Sequence, residues 1–534
     1  MEFNLADMFE DVVDQVGGRD ALVALKGDER VRLTYAELDE RANRLANHLR
    51  GVGIGPGDHV GCHMRNGNEY VETMLACFKL RAVPVNVNYR YVEEELRYLY
   101  GDADLKASVV DAPFLERVVA IRDGLELLDH LAVVGDAGSL PDGAVAYEDA
   151  IAGGDPARDF GPRSADDLMI IYTGGTTGMP KGVMWRHEDI FFAGMLGGNP
   201  IGEPRERPED VAKGAAESGP LVMFPVAPLM HGAAELATFI AFWQGSKVVL
   251  IRDFSGHGVL RLVEEEGANT LSIVGDAMAV PIADALDEGD YDTSTLLALG
   301  SAGAILSGST RERLTEHLPN LMITDAFGAS EVGYTGPATE GSTPESGLRF
   351  QPNDRTAVVS DDLRIIEPGS DEVGRVAQRG HVPLGYYKDE AKTRESFVEI
   401  DGERWVLLGD QATIDADGVI HFLGRGSVCI NSGGEKIYPE EVEAAIKAHD
   451  AVRDVVVAPI PDERWGQRVA AVLTLREGAS LTEDDLQAHL EGRIARYKLP
   501  RFIHIADEIQ RSPSGKCDYT WARETLADAA KVAG

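Results

Sequence analysis

Apolar residues along this chain fall into two alternating spacings, and the alternation is clearest in the middle. Residues 247–251 (KVVLI) form a short apolar run of strand character, and 259–266 return to the three-and-four spacing of a helix. The pattern repeats with a strand over 270–274, a helix over 277–286, an apolar run at 296–299, a helix over 309–318 and a strand over 321–324. Ser309 and Glu312 are spaced as a capping box for the last helix. Successive strand–helix units of this kind predict a doubly wound parallel sheet, in which ligands sit beyond the carboxyl ends of the strands. Motifs just after Tyr172, Leu299 and Thr324 are therefore expected to face one crevice.

The N-terminal part has the same texture. Residues 34–50 read as a helix capped by Thr34 and Glu37, with Leu38, Ala42, Leu45 and Leu49 on one face. A strand over 59–64, an amphipathic helix over 68–80 and a strand over 83–87 follow. Residues 134–166 and 202–219 are rich in Gly, Pro and charge and read as surface excursions. After about residue 350 the pattern breaks into short strands and turns such as 415–418. A compact α+β tail then opens at Pro439, a first-turn proline for a helix over 440–449. Strands over 455–460, 468–475 and 502–505 and a helix over 483–495 complete it, with no internal repeat or low-complexity tract.

Composition narrows the partners. A chain of 534 residues exceeds one ordinary core, so at least two domains are expected. Its 44% hydrophobic and 26% charged content is that of a soluble globular protein. A formal charge of −38 argues against nucleic acid or an anionic membrane surface, and an anionic substrate has to be met by local cations. The excess acid fits a high-salt habitat or plain solubility. Cys62, Cys77, Cys429 and Cys517 form no CxxC pair and read as reduced thiols of a cytoplasmic protein. The acidic N-terminus lacks a signal-peptide pattern. The apolar run 221–243 is long enough to span a bilayer. It holds Pro225, Pro228, His231 and Glu235, which predicts a buried loop and helix rather than a membrane span.

The chemistry concentrates at 172–181, YTGGTTGMPK. Glycines let backbone N–H groups approach a ligand, and threonine hydroxyls and a lysine add donors, which suits phosphate oxygens. The stretch is not a Walker A loop, because Met179 or Pro180 stands where the second glycine belongs and Gly182 follows the lysine. Taken alone, it fits an ordinary surface loop equally well.

Four further motifs change that balance: FGASE (327–331), LLGD (407–410), GRGSVCINSGGEKIYPEEVE (424–443) and RSPSGK (511–516). Together with 172–182 they resemble the adenylate-forming superfamily of acyl- and aryl-CoA synthetases, luciferases and adenylation domains, over nearly the whole chain. The phrases KGVMWRHEDI, GDAMA, GRGSVCINSGGEK and GYYKDE narrow the likeness to bacterial, particularly actinobacterial, fatty-acid and sterol-side-chain CoA ligases. The resemblance implies an α/β fold: a large N-terminal domain (1–424) of doubly wound sheets plus a β-barrel-like subdomain, a hinge (425–428), and a small mobile C-terminal α+β domain (429–534). The hinge position carries Val428, where the family normally has Asp, Glu or Lys.

The resemblance also assigns roles. ATP, Mg2+ and coenzyme A are the implied cofactor and substrates. Thr173, Gly174, Gly175, Thr176, Thr177, Gly178 and Lys181 would hold the β- and γ-phosphates. Glu331, with Thr176, would hold magnesium, and Ser330 keeps the hydroxyl of the family's usual threonine for the α-phosphate. Asp325, Ala326 and Phe327 would face the adenine, with Phe327 in place of the usual tyrosine. Asp410 would accept the ribose hydroxyls, supported by Arg425. His231, in PLMHGAAE, would stand at the mouth of an acyl pocket that also involves Gly275, Asp276, Ala277, Gly303 and Ala304. Gly303 and Ala304 would border the nucleotide as well. Gly433, Gly434, Glu435 and Lys436 match the strand that enters the site for thioester formation, and Lys516 matches the mobile catalytic lysine.

The expected activity is ATP-dependent acyl-CoA synthesis on a hydrophobic medium- or long-chain or sterol-derived acid. An aryl-acid CoA ligase and an enzyme loading a separate carrier protein are the alternatives. A non-catalytic nucleotide sensor would need neither Glu331 nor Lys516. The partners expected are small molecules, with no nucleic acid and no integral membrane span, and the resemblance points to a homodimer.

Overall fold

The computed structural model describes residues 1–173, 179–304, 306–337, 349–425, 428–432, 435–462, 466–491, 493–494, 496–511 and 517–533. Two 8-stranded sheets lie at its centre. The first runs, edge to edge, Gly385–Tyr386, Lys181–Arg186, Leu168–Thr173, Val83–Asn86, His59–His63, Leu105–Asp111, His130–Val134 and Ala144–Ala146. Its inner strands pair in parallel, and Lys181–Arg186 turns back antiparallel on Leu168–Thr173. The second runs Gly333–Pro337, Met322–Ala329, Ala298–Ala302, Thr270–Ile273, Val222–Pro225, Lys247–Ile251, Asp20–Lys26 and Glu29–Thr34. From Met322–Ala329 to Asp20–Lys26 its neighbours are parallel, as the strand–helix alternation predicts.

An antiparallel six-stranded sheet, including Glu403–Ile414 and Ile420–Arg425, fills the stretch expected to be barrel-like. The tail forms its own five-stranded sheet around Val452–Asp462 and Gly466–Leu475, with its own apolar clusters. That gives a large N-terminal part and a smaller C-terminal α+β unit.

Helix Tyr35–Gly51 has both bonds of the Thr34–Glu37 capping box. Helix Asn68–Leu80 has the polar positions expected of an amphipathic helix, yet all of its residues are buried. Its polar side chains are neutralised inside: Lys79 bonds Glu10 at 2.5 Å and Asp39 at 2.7 Å, and Glu72 accepts from Arg41 at 2.8 Å. Periodicity could not show this, because paired charges on a helix face look the same as solvated ones.

Three expectations change. The excursion 202–219 contains helix Glu209–Glu217, which buries Val211, Ala212 and Ala215 and packs on helix Leu5–Val16. The stretch 134–166 contains strand Ala144–Ala146 and helix Tyr147–Gly153. The cap of helix Gly308–His317 is Ser307, whose hydroxyl accepts from Thr310 N, not the Ser309–Glu312 pair. Helix Tyr519–Ala533 closes the chain.

Candidate active site

The glycine- and threonine-rich run joins two antiparallel strands, with Thr173 and Lys181 opposite one another at its base. Helix His187–Ala193 follows strand Lys181–Arg186. Gly174, Gly175, Thr176, Thr177 and Gly178 lie outside the described residues. Gly182 has to be glycine: a Cβ there would lie 2.7 Å from the Tyr172 ring and 2.8 Å from Ile170.

Asn86 fixes the start of this hairpin loop. Its amide nitrogen donates to Tyr172 O at 2.9 Å and to Met230 O at 2.7 Å, and its oxygen accepts from Tyr172 N at 2.6 Å. One buried side chain thus ties the end of a strand to the residue before His231. Asn66 holds the same segment from the other side, through Leu229 N at 2.7 Å and Ala227 O at 3.1 Å. His231 stands at the N-cap position of helix Gly232–Trp243.

The returning strand Lys181–Arg186 links the hairpin to the second sheet. Trp185 Nε1 donates to Ser330 O at 2.9 Å, just past strand Met322–Ala329. Strand Gly385–Tyr386 pairs along its other edge, and Tyr386 donates its hydroxyl to Glu331 Oε1 at 2.9 Å. Burial and then the Glu331 carboxylate push the Tyr386 phenol well above its usual pKa, so it stays a donor. Three residues on, Asp389 pairs with the Lys181 ammonium and accepts from Lys392 N at 2.9 Å, capping helix Glu390–Ser396. The Lys181 contact, followed by this backbone bond, holds the Asp389 carboxyl below its usual range.

On strand Met322–Ala329, Asp325 pairs with Arg311, which also donates to Ile323 O at 3.0 Å. Burial raises the Asp325 pKa and Arg311 opposes it. Ala326 follows it on the strand. Phe327 points inward, its ring 5.0 Å from Phe350 and 5.4 Å from Phe422. Phe422 belongs to strand Ile420–Arg425, where Arg425 lies opposite the buried Asp410 of Glu403–Ile414. Gly303 and Ala304 follow strand Ala298–Ala302, and Gly303 takes a left-handed φ of 80°.

Glu435 and Lys436 lie on a strand, Glu435–Ile437, that pairs with Ile430–Ser432. Gly433, Gly434 and Lys516 lie outside the described residues. Arg511 and Cys517, either side of the segment that holds Lys516, form an antiparallel bridge. The structure therefore brings the base of the glycine- and threonine-rich hairpin, His231, Ser330, Glu331 and the Asp410–Arg425 pair onto connected elements. Sequence reasoning missed the residues that connect them: Asn86, Trp185, Tyr386 and Asp389. The segment GYYKDE stood out only as part of a family likeness.

The AMP-binding enzyme family is matched over residues 9–387, and its C-terminal domain over 441–516. The chain is 47% identical to the "3-oxocholest-4-en-26-oate--CoA ligase" of Rhodococcus rhodochrous, covering 98% of this chain and 96% of that protein. It is 46% identical to the "Medium/long-chain-fatty-acid--CoA/3-oxocholest-4-en-26-oate--CoA ligase" of Mycobacterium tuberculosis (strain ATCC 25618 / H37Rv), with the same coverage. Among solved structures, the anthranilate CoA ligase AuaEII in complex with anthranoyl-AMP superposes with a TM-score of 0.84 at 23% identity, covering 99% of this chain and 98% of that one. A Mycobacterium tuberculosis fatty acyl CoA synthetase superposes at 0.71 and 24% identity, with 99% of each chain covered.

Proposed function

This chain belongs to the AMP-binding enzymes, and on that premise we propose that it is an AMP-forming acyl-CoA synthetase for hydrophobic carboxylic acids, medium- or long-chain or sterol-derived. The observation that carries the reading is the strand Lys181–Arg186, which links the phosphate hairpin through Trp185 to Ser330 and through its partner Tyr386 to Glu331. Full-length identity to relatives named as CoA ligases supports it.

The acid's carboxylate attacks the α-phosphorus of ATP, an acyl-adenylate forms and diphosphate leaves. The thiol of coenzyme A then displaces AMP. The first step joins an anion to a polyanion, so donors and cations decide it. In this scheme Thr173–Gly178 and Lys181 hold the departing diphosphate, Ser330 bonds the α-phosphate, and Asp410 with Arg425 holds the ribose. Asp325, Ala326 and Phe327 border the adenine, and His231, Gly303 and Ala304 border the acid. Lys516 neutralises charge on the α-phosphate and the attacking oxygen, and Gly433, Gly434, Glu435 and Lys436 serve the thioester step.

Magnesium fits the donors present. In this scheme Glu331, with Thr176, would be the protein's ligands to the ion. A hard cation with one carboxylate takes its remaining ligands from phosphate oxygens and water. Residues 1–424 form the ATP- and acid-binding domain, 425–428 the hinge and 429–534 the domain that turns between half-reactions. Among the described residues no helix is long and apolar enough to cross a membrane. A cytoplasmic homodimer completes the proposal.

The test is diphosphate release over a panel of fatty, aryl and steroid acids, with and without coenzyme A. Acid-dependent release followed by CoA-dependent AMP formation supports the proposal. ATP turnover with no acid in the panel overturns it.

A further inference from the structure

Four side chains of alternating charge run across the contact between the two parts of the molecule. Lys447, at the end of helix Pro439–Lys447, places its ammonium 3.3 Å from Asp276 Oδ2 and 3.0 Å from Asp454 Oδ1. Asp454 in turn pairs with Arg511. Asp276 belongs to helix Gly275–Glu288 of the N-terminal part, and the other three belong to the C-terminal unit. The contact is nearly dry, with Lys447 and Asp276 side chains 11% and 12% exposed. Burial works against the Lys447 charge, but Asp454 and then Asp276 outweigh it, and the pKa rises above that of ordinary lysine.

Asp276 is held in place as well. Its Oδ1 accepts from Ser307 N at 2.9 Å and from Ser307 Oγ at 3.2 Å, leaving Oδ2 to Lys447. Its carboxylate is thus committed to protein partners although it stands in the GDAMA run assigned to the acyl pocket. At the far end, Arg511 donates to Cys517 Sγ at 3.5 Å, and these two residues flank the segment containing Lys516. The chain of charges therefore runs from the wall of the acid site to the base of that segment.

We propose that Lys447 is a positioning residue for adenylate formation: its bond to Asp276 docks the C-terminal unit on helix Gly275–Glu288 and sets the base of the Lys516 segment against the acid site. The inference rests on the synthetase reading above. A buried cation between carboxylates from two bodies favours one docking over others, because turning the C-terminal unit away parts Lys447 from Asp276. The pair thus acts on the half-reaction run in this docking and not on the other.

The experiment uses the full-length enzyme and separates the half-reactions. Acid-dependent diphosphate release measures the first, and thioester formation from a supplied acyl-adenylate and coenzyme A measures the second. Lys447→Met is expected to lower the kcat of the first about tenfold, leaving the KM for ATP and the second half-reaction within about twofold. Asp276→Asn keeps the acceptor for Ser307 but replaces the oxygen facing Lys447 with an amide N–H donor, and should give the same loss in the first half-reaction. The double variant should be no worse than either single one, and Lys447→Arg should retain most of the first half-reaction. Equal losses in both half-reactions, no loss, or losses that multiply in the double variant would overturn the proposal. If Lys447→Met does not fold, Lys447→Gln decides by the same split. Failure of the synthetase reading shows separately, as a wild-type enzyme that releases no diphosphate with any acid.

Discussion

Tyr386 and Glu331 are joined by a 2.9 Å hydrogen bond that crosses from one central sheet to the other. Tyr386 lies on the edge strand of the first sheet, and Glu331 stands two residues past a strand of the second. A donor on a metal-binding carboxylate fixes which oxygen faces the cation. Tyr386→Phe should therefore raise the magnesium concentration for half-maximal diphosphate release by about tenfold, with kcat nearly restored at saturating magnesium. An unchanged magnesium requirement would separate the tyrosine from the metal. Glu331→Gln should lose turnover at every magnesium concentration.

Lys516→Ala should abolish acid-dependent diphosphate release, by a factor on the order of 10² or more, and leave thioester formation from supplied acyl-adenylate largely intact. Diphosphate release at the wild-type rate would remove this lysine from the reaction.

Asn86→Ala should destabilise the N-terminal part by about 2–4 kcal/mol, because Tyr172 N, Tyr172 O and Met230 O lose their buried partner. Chemical denaturation monitored in the N-terminal part checks this. The variant should also bind ATP more weakly, since the residue ties down the base of the phosphate hairpin.

Glu235, one turn past His231, is buried, and its pKa is pushed up to about 8 by loss of solvent. Its Oε2 and the neighbouring buried Tyr70 hydroxyl have no hydrogen-bond partner among the described residues. Between the ordinary carboxyl value of 4.5 and about 8, the folded protein keeps a proton that the unfolded chain has released. Stability therefore falls as pH rises through that window. Glu235→Met removes the slope: its thermal midpoint should match or slightly exceed the wild type at pH 5.5 and exceed it by several degrees at pH 8.5. Equal differences at both pH values would show that Glu235 does not titrate in this way.

The sequence made legible what depends on local chemistry. The 277–286 and 309–318 helices followed from spacing alone, as Gly275–Glu288 and Gly308–His317. The fastenings were not legible. Asn86, Trp185, Tyr386 and Asp389 act through partners far along the chain, and nothing in their own neighbourhood says which backbone or carboxylate they meet. The Ser307 cap was misread because Ser309 and Glu312 have the same spacing two residues later, and only backbone conformation decides between them. The full burial of helix Asn68–Leu80 was hidden for a related reason, since its charges are satisfied by Arg41, Glu10 and Asp39 from other elements.

The two-residue strand Gly385–Tyr386 also governs how this protein can be made and cut. It covers the outer edge of Lys181–Arg186, which would otherwise offer unpaired backbone groups to other chains. During synthesis that edge stays open while the ribosome extends the chain from Arg186 to Gly385. Fragments ending before Gly385 should accordingly aggregate, whatever their activity.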